Sequence, residues 1–123
     1  MPWDAIQYNK AWDTLYVSCD PETQETADRR IEFVKVHGNA SRQPITRHLD
    51  DGIFELRAKD ARFLFFFYGL RKFIFVHGLI KKRGNVPPSD IKLAKKKRDE
   101  IRAGKVDLDA ISGKDEPKPE IKR

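Results

Sequence analysis

Three apolar runs separated by short polar breaks occupy residues 53–82, and this alternation predicts an antiparallel meander. The breaks fall at Lys59-Asp60 and around Gly69, each short enough for a hairpin. In the first run Phe54 and Leu56 alternate with Glu55 and Arg57. In the second, Phe63, Phe65 and Phe67 make one wholly apolar face, and Arg62, Leu64, Phe66 and Tyr68 make a mixed one. The same parity in the third run groups His77 with Phe73, Phe75 and Leu79, against Ile74, Val76 and Gly78. Successive side chains on a strand point to opposite sides of the sheet. Burying the apolar faces against helices therefore leaves Glu55, Arg57, Arg62, Tyr68 and His77 on the other side, partly open to a partner. On this reading Arg62 and Lys82 lie near the surface and tolerate alanine without loss of the fold.

Upstream, the pattern changes to a helical period. Trp12, Leu15 and Tyr16 predict a short helix over residues 10–18. Asp20-Pro21-Glu22 combines a capping carboxylate, a proline at the first helical position and an acidic first turn, so a second helix starts there. Its apolar stripe is Ala27, Ile31 and Val34, with Phe33 as a further member, and His37-Gly38 ends it. The two form a helical hairpin. Residues 1–9, with Trp3, Ala5, Ile6 and Tyr8, are expected to add an edge strand to the meander. Residues 39–51 are rich in Ser, Arg, Gln, Pro and Asp and read as a connection. After the meander, Gly84 to Pro88 breaks the structure, and Ser89-Asp90 is expected to cap a basic helix through Ile91, Leu93, Ala94 and Ile101. One domain over residues 1–103 and a flexible charged tail over 104–123 follow.

Charge sharpens this picture because it is unevenly spread. Residues 1–52 hold 6 Lys and Arg against 9 Asp and Glu, leaving 19 against 10 for residues 53–123. The excess sits just after the meander, at Lys81, Lys82 and Arg83 and then from Lys92 to Arg98, the footprint of a polyanion binder or of a solvated basic helix. Cys19 is the single cysteine, which excludes a disulfide framework and makes the cytoplasm the expected compartment. Met1-Pro2-Trp3-Asp4 lacks the basic stretch and apolar core of a secretory signal, and no apolar segment approaches a membrane span.

Enzyme templates built on glycine-rich phosphate loops or nucleophile elbows are missing, and His37, His48, His77 and Cys19 are too scattered to suggest a metal site. What remains is a set of Arg, Lys, His and Tyr suited to grasping phosphate and stabilising charge that develops on it. RNA supplies its own 2′-hydroxyl nucleophile, so its cleavage needs a base, an acid and cations for the pentavalent phosphate. His77 is a candidate base or acid, histidine being the side chain best suited to exchange protons at physiological pH. Arg57 and Arg62 are candidate phosphate clamps, Lys81 and Lys82 add charge, and Tyr68 beside Phe66 offers a surface for a base to stack on. Each also has a structural reading: His77 as a hydrogen-bonded strand residue, Arg57 as an ion-pair partner of Glu55, the phenylalanines as core, and Lys81 to Arg83 as a solubilising strand end.

In this order and spacing, His48 to Arg57 (HLDDGIFELR), Ala61 to Phe66 (ARFLFF), Phe75 to Lys82 (FVHGLIKK) and Pro88 to Ala94 (PSDIKLA) resemble the HigB-type, phage-derived (Gp49-like) branch of the RelE/ParE toxin superfamily. The resemblance implies an α+β RelE-like fold, with an N-terminal helical hairpin packed on a small antiparallel β-sheet and a C-terminal basic helix. It implies the toxin of a type II toxin–antitoxin pair, a ribosome-dependent mRNA endoribonuclease using no metal or other cofactor. Its partners would be mRNA, the ribosome and a cognate antitoxin, expected to be a helix-turn-helix protein. A ParE-like gyrase inhibitor or a non-catalytic nucleic-acid-binding protein is the alternative. Onto matched positions it carries Arg57 and Arg62 as phosphate ligands, His77 as a proton-transfer residue, and Lys81 and Lys82 as contacts to RNA or the transition state. Tyr68, Arg71, Lys72, Arg83, Lys92 and Lys96 complete the expected RNA-binding set. Two departures stand out: no Tyr, Phe, Trp or His follows His77, and Lys81 to Pro87 reads KKRGNVP where the family usually has KKTQKTP.

Overall fold

The computed structural model describes residues 2–104 and 106–111. Their order is β1 (Asp4–Tyr8), α1 (Ala11–Ser18), α2 (Pro21–His37), a 3-10 turn (Gly38–Ala40), β2 (Thr46–Asp50), β3 (Ile53–Ala58), β4 (Ala61–Tyr68), β5 (Lys72–Ile80), α3 (Pro88–Arg102) and β6 (Leu108–Ala110). The fold is α+β, with three helices and a six-stranded mixed sheet in the order β2-β3-β4-β5-β1-β6. Strand β1 runs parallel to β5, and every other described pairing is antiparallel. No helix among the described residues is long and apolar enough to cross a membrane.

Local chemistry sets the two N-terminal helices. The Asp20 carboxylate accepts a hydrogen bond from the Thr23 amide at 2.8 Å and Pro21 opens α2, satisfying a donor that the first turn cannot. Gly38 ends α2 at φ 54°, and a Cβ there would stand 2.0 Å from the Trp3 ring, so glycine is required twice over. The start of α1 is capped from outside. Gln7, buried in β1, accepts from the amides of Trp12 (3.2 Å) and Asp13 (3.0 Å) and donates to the Asp13 carboxylate and the Ala110 carbonyl. One amide side chain thereby joins β1, α1 and β6.

The sheet is covered on both faces. On one, Trp12, Leu15 and Tyr16 of α1 and Ala27, Ile31 and Val34 of α2 pack on Leu56, Phe63, Phe65, Phe73 and Phe75, with Trp12 stacked on Phe63 at 4.0 Å between ring centroids. On the other, Ala94 and Ile101 of α3, with Val86, cover Ile53, Leu64, Phe66, Ile74 and Val76. Helix α3 is also tied at its flanks. Arg98 donates to the Asp51 backbone and carboxylate, Lys95 pairs with Asp50, and the Tyr8 hydroxyl donates to Glu100 at 2.9 Å. The basic helix thus spends part of its charge on the β2–β3 turn.

Several expectations need correction. Residues 39–51 are not wholly a connection, because Thr46–Asp50 forms the edge strand β2, antiparallel to β3. Strand β1 is present but is not an edge, since β6 pairs outside it through Ile6↔Ala110 and Tyr8↔Leu108. The tail expected from residue 104 onward therefore contributes a strand, and its residues 112–123 lie outside those described. Phe33 is 38% exposed and outside the core stripe. Helix α3 begins at Pro88 after Pro87 with no side-chain cap, so Asp90 stands in its first turn instead of capping it.

The correction with most consequence lies in β5. Its register against β4 shifts between Leu64↔His77 and Phe65↔Phe75, so Val76 is an extra residue. Such a bulge reverses the parity of everything after it. His77 consequently shares the α3 face with Leu64 instead of the α1 face with Phe73 and Phe75, and Leu79 moves with it.

Candidate active site

Glu55, Arg57, Arg62, Tyr68 and His77 do share the side of the sheet that the strand parity and the bulge give them, but α3 lies across it. Arg62 is 0% exposed and Glu55 2%. The Arg62 guanidinium donates through Nη1 to Glu55 Oε1 (3.4 Å) and the Gly84 carbonyl (3.3 Å), and through Nη2 to the Lys81 carbonyl (2.9 Å). Its Nε is buried without a partner among the described residues. Arg62 thus braces the segment between β5 and α3 from inside. The expectation of a surface phosphate ligand fails here, because a guanidinium enclosed by one carboxylate and two carbonyls has no path to a substrate.

His77 is placed differently. The described β1–β5 ladder ends at Gln7↔Phe75, so the last part of β5 has a strand neighbour on one side only. Where β1 stops, the chain turns through Asn9 and Lys10 into α1, leaving a groove of about 360 Å³ between α1, the end of β5 and α3. His77 and Lys97 line it, with Ala11, Thr14 and Gly78. His77 Nε2 lies 2.7 Å from Asp90 Oδ1. A carboxylate accepts, so the bond places a proton on Nε2 and, in the neutral ring, leaves Nδ1 as the basic nitrogen. Lys97 makes no ion pair among the described residues, so its ammonium adds net positive charge to the groove.

The wall beside His77 depends on one glycine. A Cβ on Gly78 would stand 2.9 Å from Leu15 Cδ2, 3.1 Å from Leu15 Cβ and 3.3 Å from the Ala11 carbonyl, so α1 rests directly on the β5 backbone. Gly78→Ala is expected to push α1 outward and cost about 1–3 kcal/mol by overpacking. A fall in the urea midpoint at an unchanged slope checks this.

The other expected residues are dispersed. Lys81 is half-buried, and Lys82 and Arg83 are exposed beyond β5, near the His77 end of the strand. Tyr68 pairs across the β4–β5 hairpin with Lys72, and Arg71 lies in its turn. That hairpin is five residues along β5 from His77, roughly 16 Å away at the rise of a strand. Lys92 and Lys96 are exposed on α3. Arg57, on the same side as Arg62 by register, lines a separate cleft at the sheet edge that Arg29 and Arg30 of α2 also line. Of the expected catalytic set, Lys81 and Lys82 follow His77 by four and five residues, past the end of β5, and neither lines the groove. Cys19 offers no nucleophile in compensation: burial and the nearby Asp20 push its thiol up, and its Sγ donates to the Leu15 carbonyl.

One residue of the groove, Lys97, and the carboxylate that bonds His77, Asp90, were not among the candidates the sequence suggests. Asp90 was assigned to a cap and Lys97 to a run of charge. They are seven residues apart, two helical turns, and so share a face of α3. That spacing is a signal available in the sequence once α3 is known to face the sheet.

Residues 16–99 match the family described as phage derived protein Gp49-like (DUF891), a span that covers well over half of the chain and includes His77, Asp90 and Lys97. No curated protein matches it.

Proposed function

The chain belongs to the Gp49-like family of phage-derived proteins, and on that premise we propose that it is the toxin of a type II toxin–antitoxin pair, of the HigB type within the RelE/ParE superfamily. Family membership is consistent with such a toxin in general. The activity we assign to it is cleavage of mRNA on the ribosome. The observation that carries the assignment is His77, held 2.7 Å from Asp90 and lining an open groove with Lys97, which makes no ion pair among the described residues.

A histidine whose ring is oriented by a carboxylate is suited to general base catalysis. In the proposed reaction His77 Nδ1 takes the proton of the 2′-hydroxyl, whose oxygen then attacks the adjacent phosphorus. The bond from phosphorus to the 5′ oxygen breaks, and that oxygen leaves with a proton from water. The products are a 2′,3′-cyclic phosphate and a 5′-hydroxyl. Asp90 stabilises the imidazolium that forms, and Lys97 meets the charge that builds on the phosphate. Lys81, Lys82 and Arg83 extend the positive surface from the groove along the strand end. In the cell, an antitoxin holds the protein inactive.

The test is 5′-end mapping of a defined mRNA incubated with the purified protein, with and without translating ribosomes. Cuts in the reading frame that depend on ribosomes, with 5′-hydroxyl ends, are the expected result. No new ends in either arm would overturn the nuclease reading and send the protein to a gyrase supercoiling assay.

A further inference from the structure

A second cleft, of about 480 Å³, opens between α2 and the edge formed by β2 and β3. Five cations line it: Arg29 and Arg30 from α2, Arg47 from β2, Arg57 from β3 and Lys59 from the following turn. One carboxylate, Glu55, also lines it, but that group is already engaged by the buried Arg62. Arg29 pairs loosely with the exposed Glu25 (3.7 Å), and Lys59 forms a closer pair with the exposed Glu22 (3.1 Å), both glutamates being on α2. Arg47 and Arg57 make no ion pair among the described residues.

Arg30 fixes the geometry. Its Nη1 donates to the carbonyls of Pro44 (3.2 Å) and Arg57 (2.7 Å), which holds the guanidinium at the floor between the helix and the strand edge. Arg30 makes no ion pair among the described residues. Burial lowers its affinity for a proton, and the nearby Arg29 and Arg57 lower it further. Like charges gathered at one concave surface repel one another and are stabilised when an anion enters. Four of the five are arginines, whose planar forks match the paired oxygens of a phosphate.

We propose that this cleft is a phosphate-binding site, separate from the His77 groove and taking either a phosphodiester of single-stranded RNA or a free phosphate ligand such as a diphosphate. The register Arg57↔Arg62↔Leu79 sets Arg57 two strands away from the end of β5, about 10 Å at the usual spacing. A strand of RNA lying across that end would meet the cleft with one phosphate and the groove with another. The site itself stands on its own residues and does not depend on cleavage at His77.

The experiment measures binding to the full-length protein of a 2′-O-methyl RNA dodecamer, which lacks the nucleophile for cleavage, and of pyrophosphate, each across a series of salt concentrations. The variant is Arg29→Ala with Arg47→Ala, both outside the core, and Arg29→Glu alone serves as a second variant should the pair perturb folding. Loss of both arginines is expected to weaken binding at least about tenfold and to make the salt dependence shallower by one to two phosphate contacts. Weakened RNA binding identifies the source as the nucleic-acid backbone. Loss confined to pyrophosphate identifies a free phosphate ligand. Unchanged binding of both ligands in both variants overturns the proposal, while 5′-end mapping on unmodified mRNA reports independently on the groove.

Discussion

Replacing Arg62 by methionine is expected to remove about 3–5 kcal/mol of stability, the usual cost of stripping one partner from a buried ion pair. The side chain is wholly enclosed, and Glu55 opposite it is nearly so. Methionine fills most of the volume but leaves a buried carboxylate without its counter-charge and frees the Lys81 and Gly84 carbonyls. A domain of this size is stable by roughly 5–15 kcal/mol, so the loss is a large share of the whole. Urea unfolding followed by far-UV circular dichroism reads it as a midpoint lower by about 2 M. The companion variant, Glu55→Leu with Arg62→Met, exchanges the pair for apolar groups and is expected to regain most of the deficit. An unchanged midpoint in Arg62→Met would sink the account. It would instead favour the surface placement that strand parity alone suggests.

His77→Ala is expected to leave the midpoint nearly unmoved and to slow ribosome-dependent cleavage by about 10²–10⁴-fold, the range a general base contributes. The side chain lines an open groove, and its hydrogen bond is to one carboxylate near the surface. Asp90→Asn offers the finer test. The amide oxygen can still accept from Nε2, so the ring stays placed while the negative charge that stabilises the imidazolium is gone. A rate between those of wild type and His77→Ala would match that division of roles. Cleavage by His77→Ala at the wild-type rate, in a preparation freed of host nucleases, would remove His77 from the mechanism.

What could be read from the sequence and what could not divide along a physical line. Asp20-Pro21, the Lys59-Asp60 and Gly69 turns and the Trp12, Leu15, Tyr16 stripe are signals contained within a few residues, and each produced the element it announced. Strand β2 was missed because Arg47, His48 and Asp50 lack an apolar alternation. An edge strand with a wet side gains its identity from its partner β3, not from its own composition. The bulge at Val76 is likewise a property of two strands together, and it separates His77 from Phe73 and Phe75, with which unbroken parity groups it. Glu55 and Arg62 were grouped correctly on one side of the sheet. Their burial depends on where α3 comes to rest, and charge counting pointed the opposite way by marking that helix as solvated or as a polyanion surface. Asp90 and Lys97 became legible as a pair only after that helix was given an inward face.

Helix α3 follows every residue of β5 in the chain, and this order has a consequence for a protein that we read as an attacker of translating ribosomes. During its own synthesis the histidine leaves the ribosome before the carboxylate that orients its ring, and the lysine that completes the groove comes later still. Until α3 folds back over the sheet, the nascent chain has strands and a solvent-exposed imidazole but no assembled centre. On that reading, the dyad is complete only once α3, nearly the last element of the domain, has been made and has packed on the sheet.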